Sequence, residues 1–295
     1  MTLRAALVVA ATALASANLI SCGPPPGMMG GPLANAGPFL EGTQSPARQV
    51  VLTHHRPPAT LGEMRTCGAN ALFFDPAGAN ARSRNPIARE AECVLYPPPV
   101  DLLIAQQTWL CLGSLSVTAG GSTETIAFCP SAMIGMVGAS GLNAPFNNCD
   151  SLAAGSMVSA SSMAEIDGDQ LDDLDLSVAM PSPVTITEPN ASPIGPWPAT
   201  GDVGIRWQSS GATSAIVTVT ARDTSAASTT IVCLPRTNGV VFLPTALLAQ
   251  SNLRTREARV TVASYTDAIR AAAGSTPAYR LSAGFSTTAI LQPNR

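Results

Sequence analysis

The chain has 295 residues, a formal net charge of −3 and 12% charged residues, about half of the roughly 25% that is usual in globular domains. All 16 basic residues are arginine, so lysine-dependent chemistry is excluded. The negative net charge gives no indication of a basic surface that would bind nucleic acid. The 24 Gly and 25 Pro residues favour frequent turns over long helices.

An export signal occupies the N-terminus. One positive charge, at Arg4, precedes an uncharged apolar run over residues 5–20, which is the pattern of a signal peptide. The run closes on Leu19-Ile20-Ser21-Cys22, which resembles the lipobox of bacterial lipoproteins. The resemblance implies a signal peptide over residues 1–21 and lipid on Cys22. The alternatives are an ordinary signal peptide cut nearby and an uncleaved anchor, although the run is short for a spanning helix of about 20 residues.

Residues 22–47 are rich in Pro and Gly and have no apolar period, so they are predicted to be a flexible tether. Gly23 follows Cys22. In enteric bacteria an Asp at that place retains lipoproteins in the inner membrane, so the resemblance favours an outer-membrane or cell-surface location.

Two β-rich modules are predicted to follow, over residues 48–183 and 184–295, which makes the fold class all-β. Short β-forming runs bounded by turn residues predict the strands of the first module. They are Arg48–Thr53, Glu92–Tyr96, Thr108–Thr118, Ser122–Phe128 and Leu174–Met180. Between Leu61 and Arg89 the pattern is poor, and long loops stapled by cysteine are expected there.

The second module shows a more regular series of runs rich in Val, Ile and Thr. They are Val184–Thr187, Val203–Trp207, Ala215–Ala221, Thr229–Leu234, Val240–Leu243, Arg259–Tyr265, Ala278–Ala283 and Ser286–Leu291. This number of strands in about 110 residues predicts an immunoglobulin-like or fibronectin-III-like sandwich. Pro244–Gln250 is the one predicted helical turn, opened by its proline.

Part of the second module resembles uncharacterised β-rich proteins exported by soil bacteria. The likeness rests on Val203–Trp207, Val217–Val219, Ile231–Cys233 and Gly239–Leu248 at their spacing, together with the lipobox. It covers roughly residues 200–265 and implies a β-sandwich at the cell surface. It implies no activity.

Seven cysteines are present, and six remain if Cys22 carries lipid, an even number suited to disulfides in an oxidising compartment. A three-residue hairpin loop at Ala119–Gly121 would place Cys111 directly opposite Cys129, so this bridge is predicted. Cys67–Cys93 is the second predicted bridge, which leaves Cys149 with Cys233. The alternative is that one or two cysteines are small buried apolar residues.

The acidic stretch Glu165–Asp175 is the sharpest cluster of chemical groups. Aligned to a calcium loop, four acidic residues take ligand positions: Glu165, Asp167, Asp169 and Asp173. Gln170 stands where the loop needs glycine, and Leu176 stands where it needs a bidentate Glu. A solvated acidic turn is therefore the favoured interpretation, and no cofactor or metal is predicted.

His54 and His55 are the only histidines, and any catalytic triad must use one of them. Neighbours in a strand point to opposite faces, so they make a poor chelating pair. Trp207 ends a β-run and is expected in the core. Trp197, between two prolines, either lies exposed, where it can stack on sugar, or caps the sandwich edge. Trp109 shares a strand face with Cys111.

These features predict a lipid-anchored surface protein with a structural or partner-binding role, in adhesion or envelope interaction, and no catalysis. Its expected partners are the membrane, through the anchor, and a surface protein or polysaccharide. A carbohydrate-binding surface module, with Trp197 as the stacking residue, is the first alternative. An extracellular hydrolase is the second, although the spacing of the 19 acidic residues selects no catalytic pair.

Overall fold

The computed structural model describes residues 48–73, 86–96, 114–127, 142–145, 149–162, 165–166, 169–170, 174–190, 192–222, 229–235, 239–270 and 279–294. Over these residues the protein is mostly β-strand, which confirms the predicted all-β class. The tether, the signal peptide and Cys22 lie outside the described residues.

The described strands follow one another as short elements, except for the last two. They are β1 (Arg48–His55), β2 (Thr66–Phe73), β3 (Ala88–Glu90), β4 (Cys93–Tyr96), β5 (Ser114–Ala119), β6 (Ser122–Ala127), β7 (Leu142–Pro145), β8 (Met157–Ser162), β9 (Glu165–Ile166), β10 (Asp169–Gln170), β11 (Leu174–Ala179), β12 (Thr185–Glu188), β13 (Ile194–Pro196), β14 (Val203–Gln208), β15 (Ser214–Ala221), β16 (Thr230–Cys233), β17 (Val240–Leu243), β18 (Ala258–Arg270) and β19 (Tyr279–Gln292). The described residues also form an α-helix, α1 (Thr245–Ser251), and 3-10 turns at Ala59–Leu61, Cys149–Ser151 and Leu253–Thr255.

One large sheet organises the fold. Its strand order is β3-β4-β16-β15-β18-β19-β1-β2-β7, and β13 pairs with β19 beside that path. Neighbouring strands are antiparallel, except that β1 and β13 both run parallel to β19. β1 lies beside residues 279–286 and β13 beside residues 290–292, while β18 pairs with β19 from residue 279 to residue 291. β19 is therefore paired on both sides over most of its length.

The predicted boundary at residue 184 does not divide this sheet. β1, β2, β3, β4 and β7 precede the boundary, whereas β13, β15, β16, β18 and β19 follow it. Two direct pairings cross it: β1 with β19 and β4 with β16. The two segments that the sequence separates thus share one hydrogen-bonded sheet.

Two smaller sheets contribute apolar side chains to the same buried cluster as the large sheet. Their strand orders are β11-β8-β5-β6 and β12-β14-β17. The cluster includes Leu52 and Phe285 from the large sheet, Val117 from the four-stranded sheet, and Ile205 and Trp207 from the three-stranded sheet. A second buried cluster lies on the opposite face of the large sheet. Its members are Val51, Val94, Tyr96, Ile216, Val232, Ala263 and Tyr265.

Regular alternation made the second half predictable. In β14, Val203, Ile205 and Trp207 are buried, whereas Arg206 and Gln208 are exposed, because successive side chains point to opposite faces. Each predicted run of the second half contains or overlaps an observed strand, and the helix begins directly after Pro244 as expected. The last two predicted runs are one continuous strand, β19.

The first half differs more from its prediction. Long loops were expected between Leu61 and Arg89, but β2 occupies Thr66–Phe73 and pairs on both sides, with β1 and β7. Its sequence, TCGANALF, has few β-branched or aromatic residues, so local propensity did not reveal it. β7 and β8 were missed for the same reason, because most residues of LNAP and MVSASS are small or polar.

The hairpin of β5 and β6 has a different register from the predicted one. Ala119 pairs directly with Ser122, so the loop is the two residues Gly120 and Gly121. Both glycines have positive φ, 58° and 80°, which a two-residue hairpin of this kind requires. A register shift of one residue exchanges the faces of the strand. The geometric argument for pairing Cys111 with Cys129 therefore fails, and both cysteines lie outside the described residues.

Candidate functional site

Two disulfides join residues far apart in sequence. Cys67 is bonded to Cys149, with Cα atoms 5.5 Å apart, and Cys93 is bonded to Cys233, with Cα atoms 4.0 Å apart. Disulfides of this kind indicate an oxidising compartment, in agreement with the interpretation of cysteine usage. All four cysteines were predicted to form bridges.

The predicted partners of these four cysteines were wrong. β4, which carries Cys93, and β2, which carries Cys67, are six strand steps apart in the large sheet. At about 4.8 Å per step they lie roughly 29 Å apart, too far for the predicted Cys67–Cys93 bridge. Cys149 therefore reaches Cys67 instead of Cys233, and Cys93 bonds to its direct cross-strand partner Cys233.

His54 lies on the face of β1 that carries Val50 and Leu52. It is fully buried, its Nδ1 donates to the carbonyl oxygen of Leu152 at 3.3 Å, and its ring centroid is 5.3 Å from that of Phe285. Nε2 has no hydrogen-bond partner among the described residues. Burial, and then the charge of Arg56, lowers the pKa of His54 to about 4. The ring is therefore neutral at pH 7.

His55 points to the other face of β1, as expected for neighbouring residues in a strand. There it belongs to a polar network. Its Nδ1 lies 2.9 Å from the Ser286 hydroxyl, and its Nε2 lies 3.7 Å from a carboxylate oxygen of Glu63. Glu63 also forms an ion pair with Arg259. Burial lowers the pKa of His55, although the Glu63 carboxylate opposes this effect. The carboxylate favours a proton on Nε2, so Nδ1 accepts from Ser286.

Serine, histidine and a carboxylate therefore come together in the pattern of a nucleophile, a base and an orienting acid. The position of Ser286 argues against acyl transfer. It is 1% exposed, and it lies in the stretch of β19 that pairs with β1 on one side and β18 on the other. Its neighbouring backbone N–H groups belong to sheet ladders, whereas an oxyanion hole needs donors aimed at a reacting oxygen. The network ties β1, β18, β19 and the loop before β2 together.

Sequence reasoning identified His55 but missed Ser286, Glu63 and Arg259. Ser286 is 231 residues from His55, and Arg259 is 196 residues from Glu63. No motif spans such separations, and only the parallel pairing of β1 with β19 places His55 opposite Ser286.

Two described parts of the acidic stretch pair as short strands. Glu165 lies in β9 and Asp169 in β10, and the two strands pair in antiparallel fashion. Asp167 and Asp173 lie outside the described residues, so the proposed ligand set is only half described. Within the described residues, no group of three or more His, Cys, Asp or Glu side chains is placed to hold a metal ion.

Trp197 does not form the sugar-stacking platform that was the first alternative. The side chain is 2% exposed, and its indole N–H donates to the carbonyl oxygen of Arg256 at 3.1 Å. β13, which precedes it, pairs with the end of β19 and carries the indole into the core. Trp207 is buried, as predicted, and Trp109 lies outside the described residues.

Comparison with known proteins adds no assignment: no family model matches the chain, and no curated protein matches it. The helices that the structure describes include none that is long and apolar enough to cross a membrane.

Proposed function

We propose that the protein is exported, anchored through lipid on Cys22, and has a non-catalytic structural or partner-binding role at the cell surface. The observation that carries this proposal is the pair of disulfides in an all-β framework, together with the lipobox at Leu19–Cys22. Acyl chains on one cysteine supply the two or more buried chains that stable anchoring needs.

The polar network around His55 supports a role without catalysis. Ser286, the nearest hydroxyl, lies in the middle of a sheet, and His54 is enclosed by the core. Both histidines are used to join β1 to other elements. A hydrolase would need one of them beside an accessible nucleophile and a bound substrate.

We further propose that the C-terminal part has the immunoglobulin-like or fibronectin-III-like arrangement. The three-stranded sheet β12-β14-β17 and the four neighbouring strands β16-β15-β18-β19 together give the seven strands of such a sandwich. Inward residues of both sheets, such as Ile205 and Val217, belong to one apolar cluster. In the whole protein this sandwich is extended by β3-β4 at one edge and β1-β2-β7 at the other.

The test is the intact mass of the protein extracted from bacterial membranes, before and after reduction. The expected mass is that of residues 22–295 plus acyl groups. Reduction should add about four mass units for the two described bridges, or about six if Cys111 and Cys129 also pair. A Cys22→Ser variant should leave the membrane fraction and keep both bridges. An unlipidated wild-type mass contradicts the anchor.

A further inference from the structure

The outer face of the sheet β12-β14-β17 presents an aromatic side chain to solvent. Phe242 in β17 is 54% exposed. The other large apolar side chains that the described residues expose are all aliphatic or methionine. They are Met64, Ile87, Met157, Ile194 and Ile269. Single exposed aliphatic residues are common and need no explanation. An aromatic ring on a sheet face has a specific use in binding, because its face can stack on a ligand.

Phe242 is positioned by the residue opposite to it. Gly204 of β14 is its direct cross-strand partner. A Cβ atom on Gly204 would lie 3.4 Å from Cε1 of the ring and 3.7 Å from Cδ1. The ring therefore leans across the bare backbone of β14. A larger residue at 204 would crowd the ring.

An ion pair also lies close to Gly204. A Cβ atom on Gly204 would also lie 3.8 Å from Oε2 of Glu188. That oxygen accepts a hydrogen bond of 2.8 Å from Nε of Arg206, and both side chains are about half exposed. An aromatic ring and a matched pair of charges thus both lie around Gly204 on this surface. The pair offers hydrogen-bond donors and acceptors while its net charge is zero.

This combination fits one class of ligand. A pyranose ring has an apolar face of C–H groups, and its hydroxyls both donate and accept hydrogen bonds. An anionic or cationic polymer gains no net attraction from a neutral pair. A purely apolar partner would remove Arg206 and Glu188 from water without replacing their hydrogen bonds. We infer that Phe242, Arg206 and Glu188 form a shallow binding site for an uncharged polysaccharide.

The inference rests on the proposed function, because it names the partner of a surface-anchored protein. A shallow site with one ring binds a single sugar unit weakly. Many copies anchored in one membrane would bind a repeating polymer together, so their combined affinity exceeds that of one site. Phe242 thus replaces the buried Trp197 as the proposed sugar-stacking residue.

The test uses the full-length protein, solubilised from membranes in detergent, with cellulose, chitin and starch as neutral probes. Binding is measured by depletion of protein from solution. Phe242→Ala is expected to weaken binding to at least one probe at least tenfold, whereas Phe242→Trp should retain it. Ile269→Ala removes an exposed apolar side chain elsewhere and should change nothing. Phe242→Leu, which keeps apolar volume without the ring, serves if the alanine variant fails to fold.

Three results would overturn the inference. They are no binding to any neutral probe, unchanged binding by Phe242→Ala and Phe242→Leu, and salt-sensitive binding to a charged polymer instead. Sedimentation of the same samples tests whether a second copy of the protein covers the Phe242 surface. A dimer that dissociates in the Phe242→Ala variant would also overturn the inference. If the protein is lipidated but binds no probe, the binding-site inference is contradicted and the proposed anchor is not. If the protein is unlipidated but binds a probe through Phe242, the proposed anchor is contradicted and the binding-site inference is not.

Discussion

The two halves of the chain contribute to the large sheet in different ways. The second half supplies the adjacent strands β16, β15, β18 and β19, and the first half supplies β3-β4 at one edge and β1-β2-β7 at the other. The strands of the second half bury Val, Ile and Leu side chains, and β1 and β4 of the first half also bury Val and Leu side chains. Each edge group contains one end of a disulfide, at Cys93 in β4 and at Cys67 in β2.

This difference shows how β2, a segment with weak β-propensity, becomes part of a sheet. The second-half strands are stabilised chiefly by apolar burial, at about 25 cal/mol per Å². The first-half strands add covalent cross-links and polar contacts, such as His54 with Leu152 and His55 with Ser286. Perturbations at the junction of the halves should therefore have larger effects than perturbations within one half.

Gly284→Ala is expected to have the largest effect, because Gly284 lies at that junction. It pairs with Tyr265 of β18 and with Thr53 of β1, and these two side chains meet across it with their oxygens 3.1 Å apart. A Cβ atom at 284 would lie 2.0 Å from the carbonyl oxygen of Ser264. The backbone must move, so a loss of about 4 kcal/mol or more is expected in urea unfolding.

Gly204→Ala is the matched control, since Gly204 also lies in a strand. Its added Cβ would meet only the ring of Phe242 at 3.4 Å and more distant atoms. A loss below about 1 kcal/mol is expected. Equal losses in the two variants would contradict a special role for the junction.

Removing each disulfide compares the two edges. Cys67→Ala/Cys149→Ala and Cys93→Ala/Cys233→Ala are each expected to lose about 3 kcal/mol. The bridges close segments of 82 and 140 residues, and chain entropy predicts a difference of only about 0.5 kcal/mol between them. Denaturant unfolding midpoints of both variants, measured without reductant, test the predicted losses and the small difference between them. A much larger difference would mean that one edge depends on native packing more than on the cross-link.

Acid should weaken the first half through His54. Its pKa of about 4 lies below the ordinary value of 6.5, so between these pH values the unfolded chain binds a proton that the folded chain does not. Stability therefore rises with pH through this window, and about 2–3 kcal/mol is lost between pH 7 and pH 4.5. Arg56 and Arg65 oppose protonation, whereas Asp150 and the Leu152 carbonyl favour it.

The readout is the difference in unfolding free energy between pH 7 and pH 4.5, compared for the wild type and His54→Gln. The variant should lose most of this difference, whatever its stability at pH 7. His55→Gln is a second variant for the same measurement, on the other face of β1. Because burial also lowers the pKa of His55, this variant should flatten the dependence too. An unchanged slope in His54→Gln would contradict the assignment.

The sequence allowed prediction of features that depend on neighbouring residues. The alternation in β14 and the helix start at Pro244 needed only local pattern, and both were correct. β2 could not be found in this way, because its place depends on β1 and β7 pairing on either side. The disulfide partners depend on strand order, which sequence spacing does not encode.

The candidate sites follow the same rule. The divergence of His54 and His55 was predictable from strand geometry. Contacts of His55 with Ser286 and Glu63 were not, because they require the parallel register of β1 on β19. For Trp197, the flanking prolines argued against a regular sheet interior, and the residue indeed follows β13, which pairs with the end of β19 over only three residues. Sequence alone left open whether its side chain is exposed or caps the sandwich edge, and the structure buries it.

Trp197→Phe should have a smaller effect than the disulfide, His54 and Gly284 variants, because it acts within the second half and leaves the junction intact. The variant loses the hydrogen bond from the indole to the Arg256 carbonyl and some buried volume. A loss of about 1–2 kcal/mol is expected, since one hydrogen bond contributes about 1 kcal/mol. Thermal and urea unfolding of Trp197→Phe beside Trp197→Ala measures this, and the alanine variant should lose about 3 kcal/mol or more. If both variants matched the wild type, the indole would not support the end of β19, and β13 would be held by backbone pairing alone.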